Sequence, residues 1–186
     1  MKRAALLAVL GVPSCLVSPH PAVDAGFRPY LRRIEPVDRP PHGLWEVDQV
    51  AHRVALASGR RISGMIEESL NPNGPVASIQ AMPDGDRITV NPHAAREIPP
   101  NAWAFIFGHE FAHQVYDFGH RGHTDPAQEL RADIIGAGYA KKAGYELVPY
   151  LHWMLSCHAK EDQSHGDLHE RARALARHFR ITTAIE

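Results

Sequence analysis

Residues 102–113 read Ala-Trp-Ala-Phe-Ile-Phe-Gly-His-Glu-Phe-Ala-His, an apolar run that ends in the pattern H-E-x-x-H. Ala102, Trp103, Ala104, Phe105, Ile106 and Phe107 lead into the pattern, and Phe111, Ala112, Val115 and Tyr116 continue it. A helix apolar on every side is a buried helix, so this segment is expected at the centre of the domain. On such a helix His109 and His113, four residues apart, share a face, and both imidazoles can reach one metal ion with Glu110 beside its open side. The chain has 13 histidines in 186 residues, so the alternative is a core helix whose two histidines bond backbone carbonyls. A buried polar pair needs partners in either case.

A catalytic zinc takes three protein ligands and leaves one position for water, so a third ligand is required. Glu129 is the best-placed candidate, in the run Glu129, Leu130, Arg131, Ala132, Asp133. Asp133 falls one turn further on, where it can accept the second ring N–H of His109 or His113 and fix its tautomer. The same acids also suit a helix start at Asp125 and Pro126, where carboxylates meet the positive end of the dipole. Asp117, His120, His123 and Asp125 lie between the two motifs as other ligand candidates. The longer pattern H-E-x-x-H-x-x-G-x-x-H needs glycine at position 116 and histidine at 119, where this chain has Tyr116 and Gly119. His120 and His123 sit in the glycine-punctuated run Gly119, His120, Arg121, Gly122, His123, read as a turn.

With these residues the chain resembles the small gluzincin branch of the zinc metallopeptidases. That branch includes the CAAX prenyl endopeptidases, the HtpX-like heat-shock proteases and periplasmic peptidases of the BepA and LoiP kind. The resemblance rests on H-E-F-A-H at residues 109–113, on E-L-R-A-D at 129–133 followed by Ile134, Ile135, Gly136, Ala137, Gly138 and Tyr139, and on S-H-x-x-x-x-E-R at 164–171. It covers about residues 77–178. It implies one zinc ion per chain on His109, His113 and Glu129, Glu110 as general base, and Asp133 behind the ligands. It also implies that His165 sits near the metal, as an extra ligand of a resting state or as a stabiliser of the developing oxyanion. Arg171 matches the arginine of that segment and, with Tyr139, is a further candidate for substrate or oxyanion contact. Arg173, Arg177 and Arg180 read as the wet face of a terminal helix. Two departures stand out: Gly166 replaces the proline usual after Ser-His, and no transmembrane segment is evident, which leaves the soluble exported members as models.

The N-terminus reads as an export signal over residues 1–25. Lys2 and Arg3 precede an apolar run over 4–12, and Val23, Asp24 and Ala25 offer a small-residue cleavage site. The run is too short to span a bilayer, which takes about 20 apolar residues. The tetrapeptide Val12, Pro13, Ser14, Cys15 weakly resembles a lipoprotein box, so the variant reading is a lipid anchor at Cys15. The chain has 2 cysteines, and with Cys15 removed or lipidated no internal disulfide is expected; Cys157 is expected to pack as a small apolar residue. The expected location is therefore periplasmic or extracellular. A net charge of −1 offers no steering toward nucleic acid or an anionic membrane surface.

Residues 26–43 are rich in proline and arginine and are expected to form an extended arm. One domain is expected over 44–186. A first helix is predicted over 44–57 from Leu44, Val47, Val50, Ala51, Val54 and Ala55. Strands over 76–82 and 87–90 flank the turn Pro83, Asp84, Gly85, Asp86; the gluzincin resemblance implies that one of the two is an edge that adds a substrate strand, and the alternative is a purely structural hairpin. Helices are predicted over 100–118, 127–143, 146–158 and 167–179. The predicted class is α+β: a mostly helical, zincin-like domain with a small hairpin beside the active-site helix.

The expected function is an extracytoplasmic zinc endopeptidase acting on a polypeptide, with misfolded exported proteins as one substrate class. The alternative is a noncatalytic zinc-stabilised binding module whose metal site is closed by a fourth protein ligand, with His165 the first candidate.

Overall fold

The computed structural model describes residues 39–116, 125–157, 161–162 and 166–182. The expected signal segment, Cys15, Asp117, His120, His123, Ser164 and His165 lie outside the described residues. Of the arm expected over 26–43, residues 39–43 are described, and none is helix or strand.

The described elements are mixed α+β, in the order α1 (Leu44–Ser58), β1 (Glu67–Glu68), β2 (Ala77–Gln80), β3 (Arg87–Val90), α2 (Ala94–Glu97), α3 (Pro100–Tyr116), α4 (Pro126–Lys142), α5 (Leu147–Ser156), β4 (Glu161–Asp162), β5 (Gly166–Asp167) and α6 (Leu168–His178). Each long helix predicted from periodicity is present, with ends moved by one or two residues. The strand expected over 76–82 is shorter, and α2 and the two-residue strands β1, β4 and β5 carry too little pattern to be predicted.

Helix α1 starts where Glu46, in its first turn, accepts from the His42 N–H at 2.8 Å and pairs with both arms of Arg39. A carboxylate at that position satisfies a donor at the positive end of the dipole. The helix ends at Gly59, whose φ of 78° lets the Arg60 N–H fold back onto the Ala55 carbonyl at 2.8 Å. Its buried stripe is Val47, Val50, Ala51, Val54 and Ala55, the face read from the sequence.

The sheet has the order β1-β3-β2, with β2 and β3 antiparallel (Ala77 opposite Val90, Ile79 opposite Ile88) and β1 parallel to β3. Strand β3 is therefore central, which removes 87–90 as the substrate-accepting edge and leaves β2. Asn91 donates its N–H to Val76, so the pairs alternate and the backbone groups of Ala77 and Ile79 point away from β3.

Every residue of α3 from Pro100 to His113 is buried, as its composition requires. Trp103 stacks on Phe107 at 5.1 Å between centroids, and Phe105 on Tyr150 of α5 at 4.8 Å. Helix α4 lies against α3 through glycine on both sides. A Cβ built on Gly108 would lie 2.4 Å from the Gly136 carbonyl oxygen, and one built on Gly136 would lie 2.4 Å from the His109 nitrogen. No side chain larger than hydrogen fits between these backbones. Helix α6 packs Arg171, Ala172, Leu175 and Ala176 inward. Cys157, after α5, is buried and disulfide-bonded, in place of the expected free thiol. Among the described residues no helix is long and apolar enough to cross a membrane.

Candidate metal centre

His109 and His113 project from one face of α3, as an i, i+4 pair must. Their rings meet edge to face with centroids 4.5 Å apart, and the two Nε2 atoms are 2.9 Å apart. Glu129 reaches them from the first turn of α4, with Oε2 3.3 Å from His109 Nε2 and Oε1 3.6 Å from His113 Nε2. The start of α4 is set locally: Asp125 caps it by accepting from the Ala127 N–H at 2.9 Å, and Pro126 occupies the first turn. Of the third-ligand candidates between the motifs, Asp125 is thus in a capping role, whereas Glu129 is at the histidines. One ligand atom from each of His109, His113 and Glu129 lies within 4.8 Å of the others, all three buried, close enough to bind one metal ion.

Asp133, one turn after Glu129, accepts from His109 Nδ1 at 2.8 Å. Arg171 holds this carboxylate from the other side, with Nε 2.7 Å from Oδ2 and Nη2 2.7 Å from Oδ1. Burial alone would raise the Asp133 pKa; Arg171, with His109, overrides it and holds the carboxyl at about 2. Burial alone would lower the His109 pKa, and the bonds to Asp133 and Glu129 override it, raising the imidazole to about 9 in the absence of metal. The proton at Nδ1 is thus fixed on the Asp133 side, which turns Nε2 toward His113 and Glu129.

That arrangement fits a cation. Two ring nitrogens and a carboxylate converge on one point inside the protein, and acceptors that face each other in a buried place are stabilised by a positive charge between them. Imidazole and carboxylate donors without thiolate suit a divalent first-row ion, zinc and iron(II) among them. Glu110 stands apart from this ligand set. Its residue is 5% exposed, and among the described residues its carboxylate enters no hydrogen bond or ion pair, so it is not committed to holding the histidines.

No family model, curated protein or solved structure matches this chain.

The structure assembles His109, Glu110, His113, Glu129, Asp133 and Arg171, but distributes their work differently from the sequence reading in two places. Arg171, a candidate for substrate or oxyanion contact, is buried and gives Nε and Nη2 to Asp133, so it braces the carboxylate that orients His109. Tyr139 is half-buried; burial pushes its phenol pKa up, and its side chain bonds Tyr116 at the end of α3. No described contact joins Tyr139 to His109, His113, Glu129 or Asp133.

Three contributors were missed in the sequence. Gly108 permits the α3–α4 approach; a lone glycine in an apolar helix directly before the first histidine was the available signal. Tyr150 lies 5% exposed against Phe105, its phenol pushed up by burial and by the charge of Asp133. Gln114, next to His113, donates its side-chain amide to the Ile79 carbonyl at 3.2 Å, which ties α3 to the outer edge of β2. Ala77 and Ile79 are each 1% exposed, so this edge is covered where the expected substrate strand would add.

Proposed function

We propose that the chain is a zinc-dependent peptide hydrolase. One observation carries the reading: the Nε2 atoms of His109 and His113 and the Glu129 carboxylate face one another, with an uncommitted Glu110 carboxylate on the same helix. The resemblance of residues 109–113, 129–139 and 164–171 to the small gluzincins supports it.

Zinc on His109, His113 and Glu129 would polarise a water molecule and lower its pKa toward about 7. Glu110 is the proton carrier: it accepts a proton from the attacking water and delivers it to the leaving amine, which a free carboxylate can do and a ligand carboxylate cannot. Asp133 keeps the Nδ1 proton of His109 in place, and Arg171 keeps Asp133 ionised and oriented. His165 is the sequence candidate for stabilising the oxyanion. Work outside the cytoplasm, on polypeptides, is proposed from the signal-like residues 1–25.

The depth of the centre supports a second reading. His109, Glu110, His113 and Glu129 are all at most 5% exposed, which suits a closed, noncatalytic metal site that stabilises a binding module. The deciding experiment measures zinc content and casein hydrolysis for wild type and Glu110→Gln. The hydrolase reading requires one zinc in both proteins and hydrolysis in the wild type alone, reduced by about 10²- to 10⁴-fold in the variant. Zinc in both with hydrolysis in neither supports the closed module, and equal hydrolysis in both removes Glu110 from the chemistry.

A further inference from the structure

A cavity of about 490 Å³ lies between the start of α4 and one side of α6, lined by Pro126 and Leu130 on one wall and by Glu170, Arg173 and Arg177 on the other, with Arg171 among its lining residues. Positions 170, 173, 174 and 177 form an i, i+3, i+4, i+7 stripe, so these side chains share one side of α6. Ala174, between the two outer arginines, leaves room for a guest. Leu130 directly follows the ligand Glu129, and Arg171 bonds Asp133, so the cavity flanks the metal centre.

The charges around it are segregated by sign. Arg171 is neutralised by Asp133, and the Asp167 carboxylate is taken by the N–H groups of His169 and Glu170 at 2.7 and 3.0 Å. That leaves two guanidiniums, Arg173 and Arg177, against the carboxylates of Asp167 and Glu170, a net charge of zero with the two cations at one end and the two anions at the other. Among the described residues neither Arg173 nor Arg177 has an ion pair, and both are exposed. Arg177 stands seven residues from Glu170, about 10 Å along the helix, so the two ends of the cavity differ in sign. Guanidinium forks one turn apart over an apolar floor match a carboxylate carried on a peptide, because the planar donors bind both oxygens while Pro126 and Leu130 cover the chain.

We propose that this cavity binds a peptide carboxylate, an acidic side chain or a free C-terminus, through Arg173 and Arg177. Under the hydrolase reading it is a specificity site beside the metal; binding itself does not need turnover.

The test is fluorescence polarisation on the full-length Glu110→Gln chain, which cannot turn over peptide if that reading holds. Three labelled peptides share one core: one with glutamate and an amidated C-terminus, one with glutamine and an amidated C-terminus, and one with glutamine and a free C-terminus. Because both arginines are solvent-exposed, the expected preference is moderate, about 3- to 10-fold for at least one anionic peptide over the neutral one. The favoured arm identifies the source of the carboxylate. Arg173→Gln/Arg177→Gln should bring all three peptides within about twofold of one another. Arg180→Gln, on the same helix end but outside the cavity, should keep the preference. Equal binding of the three peptides, no binding of any, or a preference that survives the double substitution would overturn the proposal. None of these outcomes bears on hydrolysis, which is judged separately by zinc content and casein cleavage.

Discussion

Gly108 and Gly136 meet backbone to backbone, so closely that a methyl group on either would sit 2.4 Å from a main-chain atom of the other helix. This contact sets the distance between the helix that carries both histidines and the helix that carries Glu129 and Asp133. Either Gly108→Ala or Gly136→Ala should force α3 and α4 apart. Alanine gains about 1 kcal/mol of helix propensity, but overpacking against rigid backbone costs about 1–3 kcal/mol or more, so the net effect is destabilising. Gly138→Ala is the control: nothing lies within 4 Å of its would-be Cβ, and stability should rise by up to about 1 kcal/mol. Denaturant midpoints with zinc stoichiometry would check all three. A metal content unaffected in Gly108→Ala and Gly136→Ala would mean that the helix contact does not set the site.

The Arg171–Asp133–His109 chain predicts non-additive substitutions. Asp133→Asn removes the charge that neutralises a buried guanidinium, and breaking a buried pair costs about 3–5 kcal/mol. It also loosens the tautomer of His109, which should weaken zinc binding by about 10- to 100-fold. Arg171→Met leaves Asp133 uncompensated and should cost a similar amount. The double variant Asp133→Asn/Arg171→Met should lose clearly less than the sum of the two, measured by urea unfolding of the four proteins of the cycle.

Without metal, His109 titrates at about 9, above its ordinary 6.5, because the bonds to Asp133 and Glu129 outweigh burial. A group raised in the folded state stabilises fully below its unfolded pKa. The metal-free protein should therefore lose this contribution as pH rises from about 6.5 through about 9. Asp133 works in the opposite sense: held at about 2, it contributes above its ordinary 3.8 and the contribution is lost as pH falls through about 2. Unfolding free energies of metal-free protein at pH 6, 7.5 and 9 test the first sign; a rise over that interval would contradict it.

The same proton competes with the metal. At pH 8 His109 is mostly protonated in the metal-free protein, so zinc binding should release close to one proton there and fewer near pH 10. Calorimetric titration in buffers of different ionisation enthalpy counts those protons. Zinc should also raise the midpoint of thermal unfolding, by an amount that grows with the logarithm of its free concentration. A midpoint indifferent to zinc would argue for a histidine pair satisfied inside a metal-free core.

Much of this was legible because it is local. The apolar run at 102–107 demanded a buried helix, and α3 is buried from Pro100 to His113. The spacing of His109 and His113 fixed a shared face through the 3.6-residue period, and Asp125 with Pro126 marked the start of α4 through capping chemistry that spans three residues. Two-residue strands have no periodicity to read, so β1 and the centrality of β3 were hidden. The edge at Ala77 and Ile79 was expected to be open; Gln114 reaches it across 35 positions of sequence, a contact no local pattern encodes.

Sequence by itself determined which side chains stand together on each helix, since helical pitch and capping act over a few residues. It could propose Glu129 only by type and spacing, with Asp117, Asp125 and two further histidines as rivals. Only the tertiary structure decided that Glu129 meets His109 and His113, that Asp133 accepts the hydrogen bond from His109 Nδ1–H, and that Arg171, 38 residues later, braces Asp133. The physical reason is the crossing of α3 and α4 at Gly108 and Gly136: the ligand set depends on how near two backbones can come, and that distance is a property of the packed pair.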